Sequence, residues 1–574
     1  MIPITVLRQS AAELLAYAVT DLFPGVILVK GNVTEFGFYY DFIAEQKVDS
    51  NAISLIEEKV RTLAKQDLSV RTIEMMRENA ANLFNYKGQT IIADAVSAAR
   101  ENIVTIFQID DFYDYCPAPY ISSTGEVAAF KILKIESLTS YIPGLGETDV
   151  IRIRGAVYQE KDLLKAHIKG LKAAKKVDHR LLGKELDLFG QHDNVSTNVW
   201  FWHPNGANLR QSLIDLWQDE HRRQGYEFLV SPSFVKETLL KKAGFFEIFP
   251  ETVNSPSCTM EGENYLVPSS LSPQHAVVFH SKLHSYREMP VRFAECAQVS
   301  AASKQGVLWG ILNNQLVHAD YTHIFCTQAQ LQEELISSLQ FIDKFIKIFG
   351  FEYHWCLGGR GHKFAGTISL WKKTQEIFVK AFEASSLKYT YCEHETLFAG
   401  PLAEARLIDA IGREWKGPQI GIDFNCPERF GLKYQGPDDE MHVPVMLIRS
   451  LYGSLERFAA ILTEHYAGQF PVWLAPEQVR VIPVLGTNIS YAEEVYRALV
   501  RQGYRAGIDC RHEQLGAKIH SAELRKVPFM VIVGDKEEKQ RLITVRSRGH
   551  EVAGAAITLE DFLLRLQEDI MLKR

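Results

Sequence analysis

The sequence predicts a multidomain protein that combines α+β and α/β architecture. Its 574 residues are far more than one hydrophobic core usually holds, so three or four domains of roughly 150 residues are expected. Between residues 199 and 468, helical segments mix with aromatic and β-branched strands. From residue 479 to the C-terminus, strands and helices alternate regularly, which indicates a separate small α/β domain with a mostly parallel sheet.

The N-terminal segments show both helical and strand periodicities. Apolar residues recur at helical spacing over 7–19 and again over 54–65. The aromatic stretch 36–42, FGFYYDF, predicts a strand, and 90–113 predicts a short helix with strands. The Lys-rich pattern over 161–186 predicts one long connector helix.

In the middle of the chain, amphipathic helices are predicted at 207–224, 330–349 and 450–466. Glycines next to their C-terminal ends suit helix caps. A strand is expected at 226–232, and the proline-bearing stretch 470–476 marks a domain boundary.

The C-terminal segment alternates in a βα pattern. Strands are predicted at 479–484, 504–510, 529–533 and 542–546, and helices at 491–503, 515–525 and 559–572.

The composition limits the classes of protein to which the chain can belong. Hydrophobic residues make up 46% and charged residues 23%, as in ordinary globular proteins, and the formal net charge is −7. This charge does not exclude nucleic acid, because only a contacting face must be positive. The eight cysteines form no CxxC pair, so free thiols in a reducing cytosol are expected. No signal peptide or membrane span is predicted, and we expect a cytoplasmic protein.

Several strings, taken together and in order, resemble bacterial threonyl-tRNA synthetase. They are FGFYYDF (36–42), DHRLLGKELDLF (178–189), FWHPNG (201–206), SPSF (231–234), VRFAE (291–295), HIFC (323–326), VPVMLIRSLYGSLERF (443–458), PVWLAPEQV (471–479) and VPFMVIVGDKE (527–537). The resemblance covers essentially the whole chain. It implies a class II synthetase catalytic domain with an antiparallel sheet, followed by an α/β anticodon-binding domain.

The resemblance also implies a domain order. We expect an editing-like domain at 1–160, a connector helix at 161–190, a class II catalytic domain at 191–468 and an anticodon-binding domain at 469–574. The family's N-terminal ubiquitin-like domain is expected to be absent. Pro232 matches the signature proline of class II motif 1, which implies a homodimer interface around it.

The positions that the family uses to activate threonine are largely changed. Arginines and Mg²⁺ neutralise charge on the phosphates of ATP in such sites. The resemblance puts Ala301 and Asn313 at two arginine positions and Ser303 at the position of an adenine-contacting glutamate. Loss of one such contact can lower the rate by on the order of 10² to 10³. Ser454 and Arg457 match motif 3, and Arg457 is either an ATP contact or a helix residue with a structural partner.

The family binds threonine through zinc held by one Cys and two His. Those positions here are Ser272, His323 and Ile448, so one ligand of three remains and no zinc is predicted. His275 is no better placed by sequence, and Tyr321 stands at the position of an acidic pocket residue. No other cofactor is predicted. ATP and Mg²⁺ are expected only under the hypotheses in which the chain is an active enzyme.

The family's editing site is also degenerate in this chain. Its HxxxH helix pair corresponds to Gln9 and Glu13, and its CxxxH segment to Cys116 and Tyr120. Glu13 and Cys116 could support another hydrolysis, but a packed domain without chemistry is the favoured interpretation.

Basic residues of the C-terminal domain fall on the family's anticodon-reading surface. They are Arg511, Lys518, Arg525, Arg546 and Arg548. Arginine contacts guanine edges and phosphates in bidentate geometry, so tRNA is the predicted partner. A solvated basic face is the simpler interpretation, but tRNA binding is favoured because the cluster falls at positions that match the family.

Three hypotheses follow. The main one is a tRNA-binding or regulatory paralogue that forms a homodimer and does not activate threonine. The first alternative is a redirected enzyme that activates or transfers another carboxylate or amino acid in a biosynthetic pathway. The second is a divergent active threonine–tRNA ligase.

Overall fold

The computed structural model describes residues 2–573, apart from 35–36, 47, 100, 116–118, 193, 196–198, 249–254, 302–309, 362–363, 411 and 550–553. The chain divides into two compact units, residues 1–172 and residues 173–574. The finer domain boundaries expected from the sequence stay predictions.

The first unit packs α-helices on two antiparallel sheets. Its helices are α1 (Ile4–Leu22), α2 (Ile53–Gln66), α3 (Arg77–Tyr86), α4 (Thr90–Ser97) and α5 (Lys161–Ala174), the last ending in the second unit. Its strands are β1 (Ile27–Thr34), β2 (Gly37–Ile43), β3 (Val70–Met76), β4 (Ile103–Ile109), β5 (Phe112–Asp114), β6 (Ala129–Ile142) and β7 (Gly146–Tyr158). The strand orders are β1-β2-β7-β6 and β3-β4-β5. The helices predicted at 7–19 and 54–65 and the aromatic strand are confirmed.

The single long connector helix predicted over 161–186 is wrong. Helix α5 ends at Ala174, and a new helix, α6 (His179–Glu185), begins after Asp178. The Asp178 carboxylate accepts a hydrogen bond from the backbone N–H of Arg180 at 2.8 Å. An N-cap aspartate satisfies a helix terminus, so it favours a new start over continuation of the preceding helix.

The second unit contains a large sheet and several small ones. Its remaining helices before residue 470 are α7 (Pro204–Arg223), α8 (Glu237–Lys242), α9 (Phe245–Ile248), α10 (Ser272–His280), α11 (Leu331–Ile348), α12 (Ile368–Ala384), α13 (Asn425–Phe430) and α14 (Leu455–His465). Its strands there are β8 (Phe189–Gln191), β9 (Trp200–Trp202), β10 (Glu227–Phe228), β11 (Val235–Lys236), β12 (Ser257–Met260), β13 (Glu263–Leu266), β14 (His284–Ser285), β15 (Val291–Ser300), β16 (Leu316–Cys326), β17 (Glu352–Gly359), β18 (Tyr389–Thr396), β19 (Leu402–Ile408), β20 (Glu414–Asp423), β21 (Tyr434–Gln435), β22 (Met441–His442) and β23 (Val445–Ser450).

The large sheet has the order β10-β15-β16-β23-β20-β19-β17-β18. Its central pairs are antiparallel, while the two edge pairs, β10 with β15 and β17 with β18, are parallel. The antiparallel catalytic-domain sheet expected from the sequence is therefore confirmed. The expected strand 226–232 is short, because only Glu227–Phe228 pairs with β15. The helix expected at 450–466 begins later, at Leu455, because Ser454 caps it and β23 continues to Ser450.

The C-terminal part is an α/β sandwich. Its elements are β24 (Val479–Pro483), α15 (Ile489–Arg501), β25 (Ala506–Ile508), α16 (Leu515–Leu524), β26 (Phe529–Val533), α17 (Asp535–Gln540), β27 (Ile543–Ser547), β28 (Ala556–Ile557) and α18 (Leu559–Met571). The strand order is β25-β24-β26-β27-β28. The sheet is mixed and not mostly parallel, since β26 with β27 and β27 with β28 are antiparallel.

The segment before this sandwich is held by two arginines. Arg505 and Arg548 donate hydrogen bonds to backbone carbonyl oxygens of Gln469, Phe470, Trp473 and Ala475, at 2.8 to 3.1 Å. The proline-bearing linker is thus attached to the C-terminal sandwich.

Cysteine chemistry departs from the expectation of free thiols. Cys356 in β17 and Cys392 in β18 form a disulfide, because these neighbouring strands bring their Cα atoms to 5.8 Å. Cys258, Cys296, Cys326, Cys426 and Cys510 are free thiols.

Across the described residues, no helix has the length and apolar character needed to span a bilayer.

Candidate functional site

The three positions expected to hold zinc in the family come together. His323 in β16 pairs directly across from Ile448 in β23. Ser272 is the first residue of α10, and its Oγ lies 3.0 Å from Nε2 of His323. The structure therefore brings these three residues together around one point.

The residues at this point do not fit zinc. Both ring nitrogens of His323 are already engaged, Nε2 with Ser272 and Nδ1 with Nδ1 of His275 at 2.8 Å. Burial, with the neighbouring His275, lowers the pKa of His323 well below its usual range. Ile448 offers no donor atom, and a neutral hydroxyl is a poor ligand for a tetrahedral site that prefers thiolate and imidazole.

Among the described residues, one group of metal-type side chains is close enough to share an ion: Asp178, His179 and Glu464. Its carboxylates are already paired, Asp178 with Arg180 at 2.6 Å and Glu464 with Arg413. Two guanidinium groups so close disfavour a cation, and we assign this group a structural role at the start of α6.

Two further residues belong to the site: His275, for which the sequence offered no reason to expect a place here, and Glu295, which was not predicted. His275 lies one helical turn after Ser272 and so shares its face of α10. Its Nε2 lies 3.0 Å from Oε2 of Glu295 in β15, which also accepts a hydrogen bond from the Ser231 hydroxyl at 2.7 Å. Burial alone would raise the pKa of Glu295, but hydrogen bonds from His275 and Ser231 hold it below its usual range. The i, i+3 spacing from Ser272 was the available signal.

Of the three changed positions expected to contact ATP, Ala301 lies in apolar surroundings. Ala301 packs with Ala297 and Tyr321 against a small buried cluster, whose members are Leu271, Val299, Val317 and Ala319. Ser303 and the side chain of Asn313 lie outside the described part of the structure. A phosphate would find no positive charge at Ala301.

Motif 3 is held by a buried carboxylate. Asp320 in β16 accepts hydrogen bonds from Trp217, the Ser450 hydroxyl and the backbone N–H groups of Leu451, Tyr452 and Gly453. This fixes the turn that leads into α14.

The two motif 3 matches differ in role. The Ser454 hydroxyl accepts from the backbone N–H of Arg457 at 3.2 Å, so Ser454 is the N-cap of α14. Nε of Arg457 is buried and makes no hydrogen bond within the described structure. That donor would be satisfied by a ligand, as in the interpretation of Arg457 as a nucleotide contact.

At the positions that match the family's editing histidines, a glutamine and a glutamate form a buried hydrogen-bonded pair. Gln9 and Glu13 lie one turn apart on α1, and Nε2 of Gln9 donates to Oε1 of Glu13 at 2.8 Å. The Tyr120 ring packs on Phe107, with centroids 4.5 Å apart. Cys116 lies outside the described residues.

The predicted tRNA-binding cations do not all face solvent, which corrects the sequence prediction. Nζ of Lys518 is buried and donates to the carbonyl of Pro483 at 2.9 Å. Arg548 donates to carbonyls of Lys526, Gln469 and Phe470, and burial lowers its pKa. Both side chains were drawn inward by carbonyl acceptors, which spacing alone could not reveal.

The other three predicted cations reach the surface to different degrees. Arg525 is exposed after α16. Arg511 is half-exposed and forms a bidentate pair with Asp509 at 2.9 and 2.7 Å. Arg546 donates to Glu523 at 2.6 Å and is mostly buried. Of the five, Arg525 and Arg511 are the best placed to meet a phosphate.

Comparison with known proteins agrees with this architecture. Residues 257–466 match the tRNA synthetase class II core domain (G, H, P, S and T), and residues 478–569 match an anticodon binding domain. Threonine--tRNA ligase of Acetivibrio thermocellus is 37% identical over 98% of this chain and 88% of that protein. The same enzyme of Lawsonia intracellularis is 35% identical over 99% of this chain and 89% of that protein.

Solved structures give the same fold. The RNA binding domain of threonyl-tRNA synthetase from Cryptosporidium parvum Iowa II superposes with a TM-score of 0.65 at 29% identity, covering 68% of this chain and 98% of that one. A putative threonyl-tRNA synthetase from Aeropyrum pernix gives a TM-score of 0.61 at 21% identity, covering 69% and 96%. The identity, coverage and class II core together show that this chain belongs to the threonyl-tRNA synthetase family.

Proposed function

We propose that this chain is a threonyl-tRNA synthetase homologue that binds tRNA and does not activate threonine. The observation that carries this proposal is the 3.0 Å hydrogen bond between Ser272 and His323. It occupies the place where the family's zinc is expected. With Ile448 as the third residue, threonine has no metal for its amine and hydroxyl.

The phosphate side of the pocket supports the same proposal. Ala301 belongs to an apolar cluster where the resemblance places an arginine. An uncharged methyl group cannot stabilise the charge that develops on the α-phosphate, and one missing contact of this kind costs about 3 kcal/mol in the transition state.

Binding of tRNA is supported by the C-terminal match to an anticodon binding domain. Arg525 supplies exposed positive charge there, while the half-exposed Arg511 is paired with Asp509 and Glu513. Contacts of arginine with phosphates make affinity fall as salt rises.

The test is ATP–pyrophosphate exchange with threonine, serine and a panel of other carboxylic acids, run beside filter binding of total tRNA at several salt concentrations. The proposal expects salt-sensitive tRNA binding and no threonine-dependent exchange. Robust exchange with threonine would show that the proposal is wrong.

An active enzyme is the second candidate, and two observations favour it. Relatives that align with nearly the whole chain are named threonine--tRNA ligase, and Arg457 keeps a buried Nε without a hydrogen bond. This candidate includes both a divergent threonine ligase and an enzyme redirected to another acid. Isothermal calorimetry with Mg²⁺-ATP separates it from the main proposal, because activation of any acid requires nucleotide binding.

A homodimer is the proposed assembly. Around Pro232, Val230 is 96% exposed and Phe234 is 41% exposed in the single chain, and a homodimer interface there would cover both side chains. Light scattering coupled to size-exclusion chromatography tests this, and a monomeric mass across the micromolar range would contradict it.

A further inference from the structure

We propose that His192 and His203 bind a zinc ion at the surface, with Asp187 as the positioning residue that orients His203. This site is separate from Ser272 and His323 and does not depend on the proposed function. It lies at one end of a two-stranded sheet, since His192 directly follows β8 and His203 directly follows β9. Both strands belong to the second compact unit.

The distance between the two imidazoles fits a shared zinc ion. Nε2 of His192 lies 3.3 Å from Nε2 of His203. Two nitrogens bound to zinc at about 2.0–2.1 Å with a tetrahedral angle between them lie roughly 3.3–3.4 Å apart. Two neighbouring nitrogens on a square-planar or octahedral metal lie closer together, at roughly 2.9 Å. The spacing therefore favours a tetrahedral ion, and zinc is the usual tetrahedral ion for imidazole ligands.

The carboxylate of Asp187 determines which ring nitrogen of His203 faces the ion. Oδ1 of Asp187 lies 2.6 Å from Nδ1 of His203. An ionised carboxylate only accepts, so Nδ1 carries the hydrogen, and in the neutral ring Nε2 keeps its lone pair. We assign this tautomer from the hydrogen-bond network. A histidine that binds zinc ordinarily donates its other ring N–H to a carboxylate or carbonyl in this way.

The surrounding chain orients both imidazoles. Asp187 has a left-handed φ of +53°, which aspartate tolerates better than most residues, and it lies at the turn from α6 into β8. The backbone N–H of His203 donates to the carbonyl oxygen of Leu188 at 2.9 Å, which keeps His203 beside Asp187. Phe201 meets the ring of His192 in a T-shaped contact, with centroids 5.2 Å apart. The two Nε2 atoms are thus brought together without an ion.

Gly190 leaves room beside the two nitrogens. A Cβ atom added to Gly190 would lie 3.0 Å from Nε2 of His203 and 4.0 Å from Nε2 of His192. Apart from the chain neighbours of Gly190, no other described residue comes closer than 4.0 Å to that position. His192 is exposed, so water can reach the pair and complete the coordination of an ion.

A direct hydrogen bond between the two rings is the alternative arrangement. The 3.3 Å contact is long for one, because N–H···O bonds in proteins fall at about 2.7–3.2 Å. The carboxylate of Asp187 also places negative charge beside the pair, which favours a cation there. The group of three metal-type side chains near α6, which is Asp178, His179 and Glu464, is by contrast already paired with arginines.

The two ligands predict an exchangeable ion. Water occupies the remaining coordination positions, so the zinc equilibrates with solution and leaves on dialysis. The ion bridges two residues that are 11 apart in sequence and so requires the folded chain. Zinc should therefore raise the midpoint of thermal unfolding as its free concentration passes the Kd.

The test is titration of the chelator-treated full-length protein with Zn²⁺ by isothermal calorimetry, beside thermal unfolding at several zinc concentrations. We expect saturable binding of about one ion per chain. His192→Ala removes an exposed ligand and should abolish it, together with the thermal shift. Asp187→Asn should lower the affinity by about 10–100-fold. Gly190→Ala should also weaken binding, because its methyl group would crowd Nε2 of His203.

Two control variants should bind zinc like the parent. His442 likewise faces a carboxylate, that of Asp438 at 2.8 Å, but packs on Tyr434 instead of a second imidazole, so His442→Ala controls for loss of a histidine. Gly486→Ala controls for the added methyl group, since a Cβ there meets no described atom within 4 Å.

Equal zinc affinity of the parent and His192→Ala would overturn the proposal, and so would absence of saturable binding by the folded parent. Threonine-dependent exchange, together with zinc binding that is lost in His192→Ala, would refute the proposed function but leave this site standing.

Discussion

The hydroxyl of Ser272 and Nε2 of His323 lie 3.0 Å apart, on the first residue of a helix and the middle of a central strand. Ile448 stands directly across from His323 on the next strand. Two substitutions at this point would therefore recreate a thiolate and two imidazoles around one position.

The double variant Ser272→Cys with Ile448→His should bind about one zinc ion per chain, because the three side chains then supply the ligands of a tetrahedral site with one open position. Metal content after dialysis, measured by inductively coupled plasma mass spectrometry, checks this. Ser272→Cys alone supplies only two ligands and should retain no zinc. Equal metal content in both variants would contradict the geometry.

Asp320→Asn should lower the free energy of unfolding by about 2–3 kcal/mol, because an amide cannot accept from every donor that the carboxylate now satisfies. Chemical denaturation followed by tryptophan fluorescence reports the change. Asp215→Asn, an exposed site on α7, should stay within about 0.5 kcal/mol. A small effect at Asp320 would mean that the turn into α14 is held by other contacts.

Acid sensitivity should depend on Glu464. Burial alone would raise the pKa of Glu464, but hydrogen bonding by His179 and the charge of Arg413 hold it below its usual 4.5. A depressed folded-state pKa contributes stability above the unfolded value, and this contribution is lost as pH falls through the folded value. At pH 7, Glu464→Gln should therefore lower the midpoint of thermal unfolding.

The difference between that variant and the parent should shrink steadily as pH is taken below about 4.5. Scanning calorimetry between pH 7 and pH 3 measures it. Glu493→Gln, in an exposed pair with Arg497, is the control and should show little effect at any pH. A difference that persists unchanged at low pH would exclude ionisation of Glu464 as the cause.

Two arginines of the C-terminal domain should separate RNA binding from stability. Arg525→Ala should weaken tRNA binding and reduce the slope of log affinity against log salt by about 1, since it removes one exposed cation. Arg548→Ala should mainly lower thermal stability, because its guanidinium binds three backbone carbonyls. Filter binding and thermal unfolding of both variants give the comparison, and a reversal of the two effects would contradict it.

The sequence predicted the elements where periodicity is strong and failed where a single side chain decides. Strand 529–533 was predicted to the residue, because an unbroken apolar run between polar residues can only be buried. The prediction of one long connector helix was wrong at Asp178, because the carboxylate of Asp178 caps the start of a new helix. The large sheet followed from the family resemblance and not from periodicity.

The candidate site was predicted in part for a similar reason. Ser272, His323 and Ile448 followed from aligned strings, which carry no information about partners. The contact of His275 with Glu295 needs the face of α10 and the register of β15 together, so spacing alone did not select it. Lys518 was misjudged because a long side chain can turn its ammonium group inward to a carbonyl.

The linker held by Arg505 and Arg548 has a consequence for protease digestion. Exposed proline-bearing linkers are ordinarily where proteases separate domains. Here four linker carbonyls are bound by guanidinium groups, so the peptide cannot readily extend into a protease cleft. Chymotrypsin, which would cleave after Trp473 or Leu474 in an accessible linker, should therefore leave residues 469–475 intact under native conditions, and the C-terminal sandwich should not be released as a separate fragment.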